Sequence, residues 1–345
     1  MRDLRVAVVG ATGVVGPEVL SILHEREFPA AEVVPFASAR SAGTRVAFGD
    51  DQLEVRELTA NALAGFDLAL FSAGGGTSKQ FAPEAVRRGV VVVDKSGAFR
   101  MHPQVPLVVP EVNRDALAGH GGIVSNPNCS TIQLVVALAP IHRQARITHM
   151  TIATYQAVSG SGARAVEELR EQSRALLAGE AAQSEVYPHQ IAFNALPHCD
   201  SFEGDETTEE TKLVNETRKI FADGSIAISA TCVRVPVWRS HSEAVWIETE
   251  QEISPDEVRE LLEHSPGLRV VDDPASASYP MPSEAAGRDD VLVGRIRRDR
   301  SRRNGIALWV VADNLRKGAA LNGVQIAEAL AEGDLIRVPE QAAVA

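Results

Sequence analysis

Cys129 stands in the run SNPNCST, between Asn128 and Ser130 and just after a proline. The run STIQLVVAL follows with the apolar pattern of a helix, so the sequence places this thiol at a helix start. The dipole and the N–H groups of a helix start favour a thiolate, which lowers the pKa of the thiol and makes it a nucleophile. The same N–H groups can hold an oxyanion. The alternative is a buried structural thiol, the usual state of a free cysteine.

A cation and an imidazole follow each other in the run CVRVPVWRSHS, where Arg234 precedes His241 by seven residues. A guanidinium can grip a carboxylate with two hydrogen bonds, and histidine exchanges protons near neutral pH. The alternative for His241 is a loop histidine at a strand end. Glu209 and Lys212 lie one helical turn apart, a spacing that most often gives a solvent-exposed ion pair.

The remaining thiols point away from catalysis and from metal binding. Cys232 lies within the predicted strand ISATCVRV, and Cys199 follows His198 in a loop, so both are interpreted as structural. A zinc site would need close pairs of ligands such as C-x-x-C or H-x-x-x-H. Cys199, Cys232, His198 and His241 supply no such pair, and the sequence predicts no metal.

The run RVAVVGATGVVG places Gly10, Gly13 and Gly16 after a strand and into a helix. Glycines let the backbone turn tightly beside a phosphate, which the helix N-terminus then binds. The alternative is a plain strand-to-helix turn, but strand, glycines and helix together favour a dinucleotide. Short-chain dehydrogenases share this glycine spacing, yet they need Tyr-x-x-x-Lys, and none of the tyrosines is followed by lysine in that way.

The end of the second strand, FASARSAG, selects the cofactor. NAD-binding folds place a carboxylate there for the ribose hydroxyls. This chain has Ser38, Arg40 and Ser41 instead, which suit the 2′-phosphate of NADP. The alternative is a solvent-exposed loop arginine.

Composition limits the other partners. The chain has 345 residues, 45% of them apolar, and a formal charge of −12, which gives no broad attraction to nucleic acid or anionic lipid. The N-terminus lacks the features of a signal peptide, and the apolar runs are too short to span a bilayer. Three widely spaced cysteines suit free thiols in the cytoplasm.

Two different sheets are predicted to position these candidate residues. Strands and helices alternate through the first half, which predicts an α/β fold with a Rossmann-type, doubly wound parallel sheet. From about 147 onward, longer strands such as ITHMTIATYQ and SEAVWIETE alternate with period two, which predicts an antiparallel or mixed sheet. The run DSFEGDETTEE predicts a surface loop. KGAALNGVQIAEALAEG predicts an amphipathic helix that returns to the first domain, and the end of the chain, PEQAAVA, is expected to fray.

The chain resembles the aspartate-semialdehyde dehydrogenase family nearly from end to end. The motifs that carry the resemblance are GATGVVG, FASARSAG, FSAGG, SGAFRM, SNPNCST, YQAVSGSG, TCVRVPVWRSHS, DNLRKGAALN and the Glu209–Lys212 pair. The resemblance implies NADP-dependent conversion of aspartyl 4-phosphate to aspartate 4-semialdehyde and phosphate, for lysine, threonine and methionine synthesis. It implies a Rossmann-type domain over 1–128, completed by a helix at 315–333. An α+β catalytic and dimerisation domain over 129–314 resembles that of glyceraldehyde-3-phosphate dehydrogenase, and a tail follows at 334–345.

Roles carry over by matching position. Cys129 resembles the acyl-forming nucleophile, His241 the acid/base and Gln156 the residue that orients the acyl group. The implied substrate contacts are Arg100, Asn128, Gln156, Glu209, Lys212 and Arg234, with Arg234 on the carboxylate, Glu209 on the amino group, and Arg100 and Lys212 on the phosphate. The implied cofactor contacts are Gly10, Thr12, Gly13, Val14, Val15, Arg40, Ser41, Ser72, Ser159, Gly160 and Asn314. A homodimer or a dimer of dimers is expected.

One departure from the family motif and two alternative functions remain open. Many members have Asn-Ser-Ser where this chain has Lys95, Ser96 and Gly97, so Lys95 is not assigned to the cofactor. Acetylglutamyl-phosphate reductase shares the fold and chemistry with a longer, N-acylated substrate. A non-catalytic NADP-binding regulator would keep the fold without needing Cys129 or His241.

Overall fold

The computed structural model describes residues 4–339, which fold as two compact units. The first unit contains the described residues up to Asn128 and those from Ala319 onward, and the second is Cys129–Gly318. No helix within 4–339 is long and apolar enough to cross a membrane.

A parallel sheet is the centre of the first unit. Its strands run in the order β5-β2-β1-β6-β7-β8, and every neighbouring pair is parallel. A separate antiparallel hairpin is formed by β3 and β4. The predicted parallel α/β sheet is therefore confirmed, while this hairpin was not predicted. The strands β1 to β8 are Leu4–Val9, Ala30–Ala37, Arg45–Phe48, Asp51–Glu54, Arg56–Glu57, Leu68–Phe71, Val91–Asp94 and Ile123–Ser125.

Three helices accompany these strands, and the sequence explains the first two. α1 (Gly16–Glu25) buries Val19, Leu20 and Leu23 at helical spacing. α2 (Gly75–Arg87) lies where the run SKQFAPEAVRRG predicts a helix. α3 (Pro110–Asn113) is a single turn.

A mixed sheet is the centre of the second unit, as the period-two strands predict. Its order is β12-β9-β13-β16-β15-β14, in which β12 is parallel to β9 and β14 to β15, and the other pairs are antiparallel. Helices α4, α6 and α7 contact its strands. The helices α4 to α8 are Cys129–Ala145, Ala163–Leu177, Thr208–Phe221, Pro255–Glu263 and Pro282–Ala285. The strands β9 to β16 are Ile147–Gln156, Phe202–Glu203, Glu206–Thr207, Ala227–Arg234, His241–Thr249, Leu268–Val270, Val291–Asp299 and Gly305–Ala312.

The acidic run DSFEGDETTEE is only partly the surface loop that we expected. It contains the small hairpin β10–β11, and its end is the first turn of α6. Thr207 and Glu210 form a capping box there, in which each side chain accepts a hydrogen bond from the other residue's N–H. Glu209 and Glu210 are consequently buried rather than solvated.

The C-terminal segment fixes the chain that leads to Cys129. A π-helical turn, Arg316–Leu321, precedes α9 (Asn322–Glu332). The Asn322 amide donates to the Val108 carbonyl at 3.0 Å and to the Asn126 side-chain oxygen at 2.7 Å. Both asparagines are fully buried, and the bond to Asn126 attaches the segment before Cys129 to α9.

The tail after residue 333 is partly packed. The Leu335 carbonyl lies 3.0 Å from His120 Nε2, and Val338 contacts the apolar core of the first unit. Residues 340–345, most of the stretch expected to fray, lie outside the described residues.

Candidate active site

The backbone of one residue, Ala157, joins the two residues predicted to handle substrate and proton. Its N–H donates to Nδ1 of His241 at 2.9 Å, and its carbonyl accepts from Nη1 of Arg234 at 2.8 Å. Ala157 follows β9, which lies between β12 and β13 in the sheet. Because β12 ends at Arg234 and β13 begins at His241, neighbouring strand ends bring the two side chains to one place.

The hydrogen bond from Ala157 sets the state of His241. Since Nδ1 accepts, the hydrogen of the neutral ring is on Nε2. Burial, and then the positive charge of Arg234, lower the pKa of His241 well below its usual value. Nε2 has no hydrogen-bond partner among the described residues. The ring is therefore a neutral imidazole with an unused N–H donor.

Gly160 leaves the space in front of both groups open. A Cβ at this position would lie 3.0 Å from Nη1 of Arg234 and 3.2 Å from Nε2 of His241. A larger residue would occupy the space from which these two donors can be reached. Within the described residues, Nε of Arg234 also lacks a hydrogen-bond partner.

Gln156 connects Ser130, the neighbour of Cys129, to a buried carboxylate. Its amide nitrogen lies 3.0 Å from the Ser130 hydroxyl, 3.2 Å from Oε1 of Glu209 and 3.3 Å from the Thr154 hydroxyl. Ser130 directly follows Cys129 in the first turn of α4. These three acceptors orient the Gln156 amide with its nitrogen toward them, so its orientation is set before any substrate binds.

Lys212 lies at the more exposed side of this network. Its ammonium group is 3.4 Å from Oε2 of Glu209 and forms a closer ion pair with Asp200. The pair that the sequence suggested is thus half buried rather than solvent-exposed, because Glu209 is buried under Gln156. Asp200 was not predicted, and its place in an acidic loop gave no signal.

The three cysteines differ in their surroundings. Cys129 is the first residue of α4 and is partly exposed, whereas Cys199 and Cys232 are buried. Burial raises the pKa of Cys199 to about 12, and burial likewise raises the pKa of Cys232. These two thiols stay protonated at neutral pH, as expected of structural residues.

Ser159 and Asn314, two predicted cofactor contacts, lie together in the second unit. The Asn314 amide donates to the Ser159 hydroxyl at 2.9 Å, and its oxygen accepts from the Ser240 N–H at 2.9 Å. Ser240 directly precedes His241. Asn314 therefore links the loop that carries Gly160 to the start of the strand that carries His241.

The glycine turn in the first unit has the close backbone approach that its sequence predicts. Gly10 has φ +82°, and a Cβ there would lie 2.8 Å from the backbone of Ser72. A Cβ at Gly16 would lie 2.5 Å from the backbone of Ala11. Only glycine fits these two places, so the turn is compact where the cofactor phosphates are expected.

The residues predicted to select NADP lie beside this turn. The Thr12 hydroxyl is 3.4 Å from that of Ser41, which brings the loops after β1 and β2 together. Arg40 is exposed and makes no hydrogen bond or ion pair with any residue of the described range. The turn, the two hydroxyls and this cation fit a nicotinamide dinucleotide with a 2′-phosphate.

Arg100, the predicted phosphate residue, is held by backbone carbonyls in the first unit. Its guanidinium donates to Asn126 at 3.0 Å and to Lys95 at 2.7 Å. Asn128, a predicted substrate contact, is buried two residues after Asn126. Lys95 contributes its carbonyl to this contact, so the departure from the family motif does not remove it.

Sequence reasoning missed several residues that hold the predicted ones. The buried carboxylate of Asp94 accepts from the hydroxyls of Ser78 and Ser96 and so shapes the loop before Arg100. Asn126 and Ala157 act through backbone groups. Only Asp94 had a usable signal, as a polar residue at the end of an apolar strand.

Two family models cover most of the chain. The semialdehyde dehydrogenase NAD binding domain matches residues 5–120, and the semialdehyde dehydrogenase dimerisation domain matches residues 138–317. A relative named aspartate-semialdehyde dehydrogenase from Aquifex aeolicus is 54% identical over 96% of this chain and 99% of its own length. The chain belongs to the aspartate-semialdehyde dehydrogenase family. The resemblance stated from the motifs is confirmed, and the chain is an oxidoreductase.

Solved structures agree with this family assignment. Aspartate semialdehyde dehydrogenase II from Vibrio cholerae, complexed with ASA, has a TM-score of 0.94 and 45% identity, covering 96% of this chain and 99% of that one. The enzyme from Candida albicans with NADP, at 24% identity, shares the fold with a TM-score of 0.75 over 97% of this chain and 100% of that one. The Rossmann-type domain followed by a dimerisation domain is therefore confirmed. A nicotinamide cofactor follows from the family.

Differences in thiol environment predict selective alkylation. We expect iodoacetamide at pH 7 to modify Cys129 before Cys199 or Cys232, because only Cys129 is partly exposed and the other two are buried thiols with raised pKa values. Peptide mass spectrometry over a time course measures the order. Unfolding the chain in guanidinium should remove the difference, which serves as the control. Modification of Cys199 or Cys232 at the rate of Cys129 would contradict the assignment.

The buried imidazole predicts a pH-dependent stability. Unfolded histidine takes up a proton near pH 6.5, whereas folded His241 does so only at lower pH. The free energy of unfolding should therefore fall below about pH 6.5, by at most about 1.4 kcal/mol per pH unit from this residue. Denaturant unfolding between pH 7.5 and 5.5 should show a smaller loss for His241→Gln than for wild type.

The exposed His264 gives the matched control. His264→Gln should follow the wild-type pH dependence, because its ring stays in water. Parallel curves for wild type and His241→Gln would show that His241 is charged in the folded protein.

Proposed function

We propose that the chain catalyses NADP-dependent reductive dephosphorylation of L-aspartyl 4-phosphate to L-aspartate 4-semialdehyde through a thioester on Cys129. The observation that carries the proposal is one connected network in the second unit. Arg234 and His241 both bind the backbone of Ala157, while Gln156 joins Ser130, the neighbour of Cys129, to Glu209. This network offers a nucleophile, a neutral donor, a cation and a buried carboxylate for a small amino acid.

The charges match an aspartyl group. Arg234 has an unused Nε donor for the α-carboxylate, and Glu209 supplies a negative charge for the ammonium group. Lys212 binds the phosphate, which replaces Asp200 as the partner of the Lys212 ammonium group. Arg100, fixed by two carbonyls, is the second phosphate cation, and Asn128 is a further substrate contact.

The chemical steps use this chain's own groups. The Cys129 thiolate attacks the acyl carbon, the bond from that carbon to the phosphate oxygen breaks, and phosphate leaves with the electron pair. The bound NADPH supplies a hydride to the thioester carbon. The N–H groups at the start of α4 and Nε2–H of His241 stabilise the negative charge on the former carbonyl oxygen. Expulsion of the Cys129 thiolate then releases the aldehyde.

His241 acts as a donor at Nε2 in this scheme. Its low pKa keeps the ring neutral, and the bond from Ala157 prevents the other nitrogen from carrying the hydrogen. The neutral ring keeps its Nε2 hydrogen and stabilises the oxyanion as a hydrogen-bond donor until the carbon–sulfur bond breaks. In the reverse direction the same group assists addition of Cys129 to the aldehyde.

We assign the cofactor to NADP. In the first unit, Gly10, Thr12, Gly13, Val14, Val15 and Ser72 surround the phosphate turn, and Arg40 with Ser41 receives the 2′-phosphate. In the second unit, Ser159, Gly160 and Asn314 serve the nicotinamide end. Support comes from the absence of a strand-end carboxylate after β2 and from the exposed Arg40, which has no ion pair within the described range.

A homodimer is proposed to form on the uncovered face of the mixed sheet. Ala153, Ala244 and Trp309 lie side by side on neighbouring strands, and the Tyr155 ring packs 5.3 Å from that of Trp309. Tyr155 is 38% exposed, and Trp246 and Trp309 are partly exposed. An aromatic and small-residue face of this kind suits a second copy of the dimerisation domain. We place the enzyme in the cytoplasm, which suits its free thiols.

Acetylglutamyl-phosphate reduction is less well supported. Its substrate carries an amide in place of the ammonium group, so the buried Glu209 would lack the substrate cation that we assign to it. A non-catalytic regulator would not require the network around Gln156.

The reverse reaction tests the proposed function. NADP reduction with aspartate semialdehyde should require phosphate and exceed the rate with N-acetylglutamate semialdehyde. Cys129→Ala should abolish turnover and leave NADPH binding intact, whereas Cys199→Ala serves as a control that keeps turnover. Wild type mixed with aspartyl phosphate without NADPH should carry an aspartyl group on the Cys129 peptide. Faster use of the acetylated substrate would favour the reductase, and NADP binding without turnover would favour the regulator.

Cofactor selection gives a separate prediction. Arg40→Ala should raise the KM for NADP about tenfold or more, since a charged hydrogen bond contributes about 1.5–3 kcal/mol, and should leave the KM for NAD nearly unchanged. Steady-state kinetics with both cofactors measures this. Arg87→Ala removes an exposed cation that is paired with Glu84 and should change neither KM. Equal weakening of both cofactors in Arg40→Ala would contradict recognition of the 2′-phosphate.

A further inference from the structure

Gly318 lies against Cys129. A Cβ built at Gly318 would be 2.9 Å from Cβ of Cys129, 3.3 Å from its Cα and 3.5 Å from the Asp313 carbonyl. Carbon atoms do not approach to 2.9 Å without displacement, because their contact distance is about 3.5–4.0 Å. Only a residue without a side chain lets these two segments pack at this distance.

The Gly318 side of this contact is held firmly. The Gly318 N–H donates to the Asp313 carbonyl at 2.9 Å. The Asp313 carboxylate accepts from the N–H groups of Leu315 and Arg316 on one oxygen, and from Arg239 and Gly287 on the other at 2.6 Å each. The turn from Asp313 to Gly318 is therefore fixed at its start and cannot move away cheaply.

The Cys129 side is equally constrained. Ser130 and Thr131, the next residues of α4, are fully buried, and Ser130 accepts the hydrogen bond from Gln156. Close-packed interiors do not absorb an added methyl group without shifts elsewhere. A side chain at Gly318 would thus be accommodated by displacement of Cβ of Cys129, the atom that carries the sulfur.

We propose that Gly318 is a positioning residue for the reaction. Because Gly318 has no side chain, the Asp313–Gly318 turn packs directly against Cys129 and fixes the position from which its thiol reacts. The proposal rests on the assignment of Cys129 as nucleophile. Gly318 itself touches no substrate, and its N–H is already used within the turn. Its effect is on the rate of the step at sulfur and not on binding of the carboxylate, amino or phosphate groups.

The chain offers a matched glycine for the test. A Cβ at Gly323, five residues on, would meet no described neighbour within 4 Å, and this residue lies in α9, where alanine is favourable. Gly318→Ala should lower kcat about tenfold or more, because small misplacements of a nucleophile have effects of this size. The KM values for aspartate semialdehyde and phosphate should stay within about twofold of wild type. Gly323→Ala should match wild type in kcat, and its melting temperature should be no lower than that of wild type.

Two further measurements need no turnover. The rate of Cys129 alkylation should change in Gly318→Ala and not in Gly323→Ala. The loss of melting temperature caused by Gly318→Ala should persist in a Cys129→Ala background and shrink in Cys129→Gly, which removes the crowded Cβ. This double-mutant comparison remains informative if Gly318→Ala is only marginally folded.

The outcomes separate the two proposals. A wild-type kcat and alkylation rate in Gly318→Ala, or an equal stability loss in all three backgrounds at position 129, would overturn the positioning role. A wild-type enzyme without phosphate-dependent turnover would instead overturn the proposed function, while the alkylation and stability results would still report on the contact between Gly318 and Cys129.

Discussion

The candidate site depends on the Ala157 backbone, whose N–H donates to His241 and whose carbonyl accepts from Arg234. These two groups belong to consecutive planar peptide groups joined at the Ala157 Cα, so the backbone conformation at this one residue sets the spacing of an imidazole and a guanidinium. The bond to Nδ1 also chooses the tautomer of His241. Because these contacts come from backbone, they depend on the positions of β9, β12 and β13 and on no particular side chain at residue 157.

Burial then controls which groups carry charge. Arg234 and Glu209 are buried and hydrogen-bonded, while burial lowers the pKa of His241 well below its usual value. Glu243, two residues after His241, is also fully buried, and burial followed by the charge of Glu209 raises its pKa well above the usual value. Burial thus favours the neutral forms of His241 and Glu243, the two titratable groups beside Arg234 and Glu209.

Local patterns predicted what depends on local geometry. The helix start at Cys129, the glycine turn after β1 and the parallel order of strands follow from short runs of sequence. The missed parts depend on distant residues. The β3–β4 hairpin has mostly exposed positions and no apolar alternation, and Glu209 looked solvated because its cover comes from Gln156, 53 residues away. The packing of Gly318 on Cys129 joins residues at opposite ends of the second unit, which no periodicity can indicate.

The predicted site residues differ in how firmly the fold holds them. Arg40 is exposed and has no partner within 4–339, and Thr12 meets Ser41 only at 3.4 Å. A dinucleotide makes many contacts, so its binding can order such residues when it arrives. Gln156, Arg234 and His241 are instead fixed by buried hydrogen bonds. Groups that act on a developing charge stabilise it only if they need not reorganise during the step, and the buried positions of Gln156, Arg234 and His241 suit the catalytic roles proposed for them.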